Sequence, residues 1–268
     1  FRAATQTWSA LTEASFTTGL RPQPGDLTVS ELHYHPAPPD ASELAQPSIT
    51  RDSDFEFVEL MNISAETLDL SGLTFSSGIS YTFPDDTPLL AAGGRLLIVN
   101  NRAAFEFRYS AGLPLPIAGE FGSTSGLDNS GEQIALSSGA LTLLEFTYDD
   151  LAPWPEAADG DGFSLVLIRP LSNPDLSDPI SWRSSVGIGG APAASDSTTL
   201  AGFTTANNIA DPYADHDHDG IATIIEYATG TRFDSPSHSR PLSAQIETFT
   251  DGVTSSDHIV LEYSVATG

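Results

Sequence analysis

The chain has 268 residues, with ten Arg and no Lys set against 36 Asp and Glu, for a formal net charge of -26. A field of that sign repels phosphate backbones and anionic lipid, which argues against nucleic acid and membrane surfaces as partners. There is no Cys, so disulfides, thiol nucleophiles and thiolate metal sites are excluded, and no apolar run approaches the roughly 20 residues of a membrane span.

The length suits one large all-β domain or two smaller ones. The sequence starts at Phe1 without Met and in mid-pattern, so it reads as a processed or excised piece of a longer protein. Residues 1–16 read as one or two short strands ending a preceding β module. Residues 17–25, with Pro22, Pro24 and Gly25, read as a linker. From 26 to 183 the pattern is short strands broken by Gly, Pro, Asn and Asp clusters, the spacing of a sandwich or barrel. The predicted strands are Leu27–Tyr34, Phe55–Leu60, Ser80–Phe83, Arg95–Asn100, Gln133–Leu136, Leu141–Tyr148 and Ser164–Ile168. Arg102–Tyr109 is rich in helix formers and predicts a short connecting helix.

The stretches Val29–Pro36, Asp54–Asn62, Leu68–Leu73, Tyr81–Pro84, Leu90–Val99, Leu127–Glu132, Tyr148–Pro155 and Gly162–Leu167 follow one another in a characteristic order. Together they resemble the bacterial lamin-tail domain, with Pro38–Ser53 as an insert. The resemblance implies an immunoglobulin-like β-sandwich and a non-catalytic module of large secreted proteins. It supplies no catalytic residue.

Residues 184–210 are rich in Gly, Ala, Ser and Thr, a flexible linker by composition. Within 211–232, Asp215-His-Asp-His-Asp-Gly-Ile-Ala-Thr-Ile-Ile-Glu226 matches every fixed position of the calcium-loop pattern. Asp215, Asp217 and Asp219 take positions 1, 3 and 5, and Gly220 the sharp turn at 6. Ile221 would offer its carbonyl, Thr223 the often water-mediated position 9, and Glu226 the bidentate carboxylate. Pro212 and the polar run Thr204–Asn208 argue against an entering helix. Ile221, Ile224, Ile225 and Ala228 share one face of an exiting one, ended by Gly230. One loop with a single helix resembles a dockerin half-motif or a thrombospondin type 3 linker, with Ca2+ in a structural role. Residues 241–268 read as an extra C-terminal hairpin beginning a further β module, Ala244–Phe249 and His258–Tyr263 joined at Asp251-Gly252.

Other constellations carry less. Glu31, His33 and His35 share a strand face and, with Glu59, could hold zinc. The plainer reading is polar residues on a solvent-facing surface or strand edge. Asp159 and Asp161 resemble half a calcium loop but read better as a turn. Asp149 and Asp150, being adjacent on a strand, point to opposite faces, poor geometry for a paired acid and base. Trp154, between prolines, reads as a packing plug.

The expectation is therefore an all-β protein with no catalytic residues, a structural or adhesive module of a secreted or cell-surface protein. Its partners would be other modules of the same protein or neighbouring copies, without membrane insertion. The rival reading is a carbohydrate-binding accessory of a secreted enzyme, presenting Trp154 or Tyr148 to an extracellular glycan.

Overall fold

A computed structural model describes residues 18–110, 114–122, 125–196, 200–206, 208–229, 233, 242–250 and 255–263. In chain order the first strands are β1 (Leu27–His33), β2 (Phe57–Asn62), β3 (Thr74–Ser77), β4 (Tyr81–Thr82), β5 (Arg95–Val99) and β6 (Ile117–Glu120). Then come β7 (Gln133–Ser138), β8 (Leu141–Thr147), β9 (Leu165–Leu167), β10 (Trp182–Ser184), β11 (Leu242–Thr250) and β12 (Ser255–Tyr263). Three helices interrupt them: α1 (Arg102–Tyr109), α2 (Leu200–Ala206) and α3 (Thr223–Thr229).

Two sheets form an immunoglobulin-like sandwich. The larger has the order β10-β9-β1-β2-β5-β6, and the smaller β4-β3-β7-β8. Pairing is antiparallel except between β5 and β6. Leu27, Val29, Leu32, Tyr34, Val58, Leu60 and Ile98 of the larger sheet meet Phe75, Ile134, Leu136 and Phe146 of the smaller in one apolar core. The β11–β12 hairpin forms its own sheet, in register from Leu242↔Tyr263 to Thr250↔Ser255.

β1 is buried along its whole length because it lies inside the sheet and both its faces are covered. A bulge between Val29 and Glu31 adds one residue on the β1 side. Leu27 and Val29 therefore face the core before it, and Leu32 and Tyr34 after it. Ser30, Glu31 and His33 are turned to the opposite face. That outer face is covered by α1, whose Phe105 joins Phe57, Leu97 and Val99 in a second apolar cluster. Asn101 caps the helix, its side chain accepting from the Ala104 N–H at 3.1 Å. The insert is fastened to the same helix. Glu43 is bonded by Arg108 through Nε at 2.7 Å and Nη2 at 2.8 Å, and the Arg108 guanidinium lies over the Phe55 ring.

Most predicted strands are present within a residue or two, and the predicted helix over 102–109 is α1. Three short strands escaped prediction: polar β3, Gly-bearing β6 and β10. Two predicted linkers are partly structured. Leu20 bridges Leu68, with N–H bonds from Leu20 to Thr67 O at 2.8 Å and from Asp69 to Leu20 O at 2.9 Å. Within 184–210, Ser185, Ala191, Ala193 and Asp196 are hydrogen-bonded to Ser164, Glu31, Glu59 and Arg183 in turn, and α2 follows. The expectation for residues 1–16 lies outside the described residues.

Trp182, on an edge strand, ties the two sheets together. Its ring stacks on Phe146 at 5.8 Å, sits 6.3 Å from Trp154, and donates from Nε1 to Leu176 O at 2.8 Å. Trp182→Ala is expected to cost about 3–5 kcal/mol. In urea this would read as a lower midpoint with an unchanged slope.

Candidate functional site

The acidic loop folds as a series of tight turns held by its own aspartates. Asp215 Oδ1 accepts from the His218 N–H at 2.8 Å and Oδ2 from the Gly220 N–H at 2.9 Å. Asp217 Oδ1 accepts from Asp219 N–H at 3.2 Å, and Asp219 Oδ1 from Ile221 N–H at 2.8 Å. His218 (φ 65°) and Gly220 (φ 95°) take the left-handed backbone this winding requires. The three aspartates each bring an oxygen to within 4.8 Å of one another. Among the described residues theirs is the group of three or more His, Asp or Glu that meets this distance.

α3 delivers the fourth acid. The Ile224 N–H bonds Pro212 O at 2.7 Å and the Thr223 N–H bonds Ala214 O at 3.0 Å, so the helix begins folded against the entry of the loop. Its first turn places Glu226 beside the aspartates with 0% of its surface exposed. Burial, then the charges of Asp217, Asp219 and Asp215, push the Glu226 carboxyl up to about 8. Burial also raises Asp217, aided by Asp219, and its Oδ2 is buried without a hydrogen bond. Asp215 stays below its ordinary value, because the Gly220 and His218 N–H groups outweigh its partial burial. Thr223 is buried, with Oγ1 2.9 Å from His216 Nδ1. α2 packs on α3, with Phe203 5.0 Å from the Tyr227 ring. A compact set of oxygens thus carries a surplus of negative charge, the donor chemistry a hard cation requires.

The second constellation is inside the protein, not on its surface. Glu31 (1% exposed) and His33 (0%) lie on the covered face of β1, and Glu59 (0%) faces Glu31 across the β1–β2 ladder. His35 turns away, with Nδ1 2.6 Å from Asp159 Oδ1. His33 packs edge-on to Phe57 at 5.5 Å, and neither ring nitrogen has a hydrogen-bond partner. Glu31, His33 and His35 therefore do not converge as zinc ligands. The expected surface position fails for Glu31 and His33 because the helix and loops that cover this face are distant in sequence.

The aromatic platform expected of a glycan binder is also interior. Trp154 packs in the main core, and Tyr148 is fully buried with its hydroxyl donating to Asp128 O at 2.8 Å. Asp159 and Asp161 form a turn, with Gly160 and Gly162 at positive φ.

Comparison with known proteins agrees with the sandwich. Residues 21–149 match the model of the Lamin Tail Domain family, an immunoglobulin-like structural module of non-catalytic type. No curated protein and no solved structure matches the chain. The matched span ends before β9 and β10, although both strands belong to the larger sheet.

His33 sets an acid limit on stability. Burial, followed by the charges of Arg108 and His35, pushes it down to about 3. The folded state holds it neutral, whereas the unfolded chain protonates it below the ordinary value of 6.5. Its contribution is present above 6.5 and is lost as pH falls towards about 3. Between roughly pH 6 and 4, His33→Phe should lose about 1.4 kcal/mol less per pH unit than wild type in urea titrations.

Proposed function

We propose that this chain is a structural or adhesive module of a secreted or cell-surface protein, and that one calcium ion stiffens the connector leading out of its sandwich. Asp215, Asp217, Asp219, the Ile221 carbonyl, Thr223 and Glu226 would hold the ion. The observation that carries the reading is the position of Glu226, a fully buried carboxylate set by α3 against three aspartates. A divalent cation offsets that repulsion and joins the loop to the helix, so its binding energy becomes local folding energy.

The surrounding charge supports the same reading. An acidic, lysine-free surface suits a calcium-rich, saline exterior and repels nucleic acid. No described helix is long and apolar enough to cross a membrane. The partners consistent with this are adjacent modules of the parent protein or other copies of the chain. The glycan-binding alternative loses its support with the burial of Trp154 and Tyr148.

Titration of chelator-treated protein with calcium, followed by calorimetry, should show one site and a rise in melting temperature with free calcium. Loss of an outer-shell partner already costs about 10–100-fold in metal affinity, so Glu226→Gln should weaken binding at least that much. Absence of calcium binding to the wild-type chain would refute the proposal. Light scattering with calcium and then chelator separates an assembling module, whose particles disperse in chelator, from a monomeric spacer.

A further inference from the structure

The larger sheet holds two carboxylates opposite one another in its interior, Glu31 on β1 and Glu59 on β2. Residues 186–196, which follow β10, lie across them as a strap. Ser164 Oγ donates to Glu31 Oε1 at 2.6 Å, and the strap's Ala191 N–H donates to the same oxygen at 3.0 Å. The strap's Ala193 N–H donates to Glu59 Oε2 at 2.6 Å. Gly190 passes so close that a Cβ there would collide with Glu31 Oε1 and Ser164 Oγ. Nothing in the calcium reading uses this arrangement.

The two acids are not equivalent. Glu59 is bonded by Arg95 and by Ser30 Oγ in addition to the strap. Glu31 is faced by Glu59 from β2, Asp196 from the strap and Tyr109 from α1, with His33 further along its own strand face. Arg95 and Arg183 line the same cavity as Glu31, of about 90 Å³, but both have other partners. Arg95 is paired with Glu59. Arg183 holds Asp196, through Nη1 to Oδ2 at 2.5 Å and Nη2 to the backbone carbonyl at 2.7 Å. An ionised Glu31 would therefore place a second negative charge beside Glu59, away from water and without a cation of its own.

We propose that the strap is a proton-operated latch: it stays closed over the Glu31–Glu59 pair while Glu31 carries a proton, and loss of that proton lifts it from the sheet. Release would free the connector beyond β10. Burial, and after it the Glu59 charge, push Glu31 up to about 8, which supports the same direction. Opening returns the carboxyl to water and to its ordinary value of 4.5. The closed form binds the proton more tightly, so it is fully favoured below 4.5 and loses its advantage as pH rises through about 8. Gly189 and Gly190, at φ 87° and 75°, give the strap the turn that brings it against Glu31.

Hydrogen-exchange protection of the Ala191 and Ala193 amides, measured by NMR on the full chain across neutral pH, tests the latch. In the wild type, protection should fall by up to about tenfold per pH unit until the pH passes roughly 8, while the Leu60 and Ile98 amides keep theirs. In Glu31→Gln, which cannot ionise, the profile should be flat. A flat wild-type profile, or an equal slope in Glu31→Gln, would overturn the proposal. Should Glu31→Gln fail to fold, the ¹³C signal of the wild-type Glu31 carboxyl decides. A midpoint near 8 that tracks exchange supports the latch, and one near 4.5 sinks it.

Discussion

The constraint on which the rest of the structure depends is the bulge at Ser30. β1 is an interior strand that must present apolar residues to the sandwich core at both ends, and one inserted residue allows this. The same insertion turns Ser30, Glu31 and His33 to the outer face. A solvated outer face would have made those residues unremarkable. Here α1, the insert around Glu43 and the strap cover it, and the polar groups become interior. Each must then be satisfied or held neutral, because an unpaired buried charge costs several kcal/mol. The covering elements thus owe their attachment to polar residues of the sheet as well as to apolar contact.

How those acids are satisfied follows from the shortage of cations. Ten arginines serve 36 acidic side chains. Arg95, Arg108 and Arg183, only 17%, 16% and 18% exposed, are committed to Glu59, Glu43 and Asp196. Arg suits that role, since its planar fork can bond a carboxylate through two donors, as Arg108 does with Glu43. The buried acids left without a guanidinium rely on neutral donors. Glu56 accepts from the Leu127 N–H at 3.0 Å and from Asn100 at 3.3 Å, and burial raises it to about 7. Glu31 follows the same rule with Ser164 and Ala191. Neutral donors reduce the cost of a buried charge but do not remove it, so these carboxyls hold their protons far above the ordinary range.

Much of the sandwich was legible in the sequence because its strands are short apolar runs between Gly, Pro and Asn clusters, and α1 carries both its helix formers and its Asn101 cap. What was not legible depends on partners distant in sequence. Thr74-Phe-Ser-Ser77 is too polar to stand out, and becomes a strand through pairing with β7 and β4. Ile117-Ala-Gly-Glu120 pairs in parallel with β5, a geometry that leaves no hairpin signal. The strap looks like a linker because its attachment rests on the Ala191 and Ala193 N–H groups meeting acids distant in sequence and on Asp196 meeting Arg183. Period-two reading placed Glu31 and His33 on one face, which the structure bears out, but could not tell that the face is covered. The acidic loop was the most legible candidate site, since its spacing is local. The burial of Glu226 was not, because it depends on α3 folding against Pro212 and Ala214.

A protein without lysine has few ways to hold a carboxylate against another part of itself. Arginine is one, and it fixes the insert through Glu43 and the strap through Asp196. Neutral donors together with a proton are the second, and they serve Glu31, whose neighbouring arginines are committed to Glu59 and Asp196. A divalent cation is the third, and the proposed calcium at Asp215–Glu226 belongs to it, since three aspartates and a buried glutamate exceed what local N–H donors can offset. The second and third devices lie in succession along the same connector, first the strap and then the loop. They draw on different features of the medium, proton activity and free calcium. Salt screens exposed pairs such as Arg21–Asp69 much more than the buried Arg95–Glu59, Arg108–Glu43 and Arg183–Asp196 pairs. The attachment of the strap to the sandwich would therefore respond to pH, while its Arg183–Asp196 tie remains largely indifferent to ionic strength.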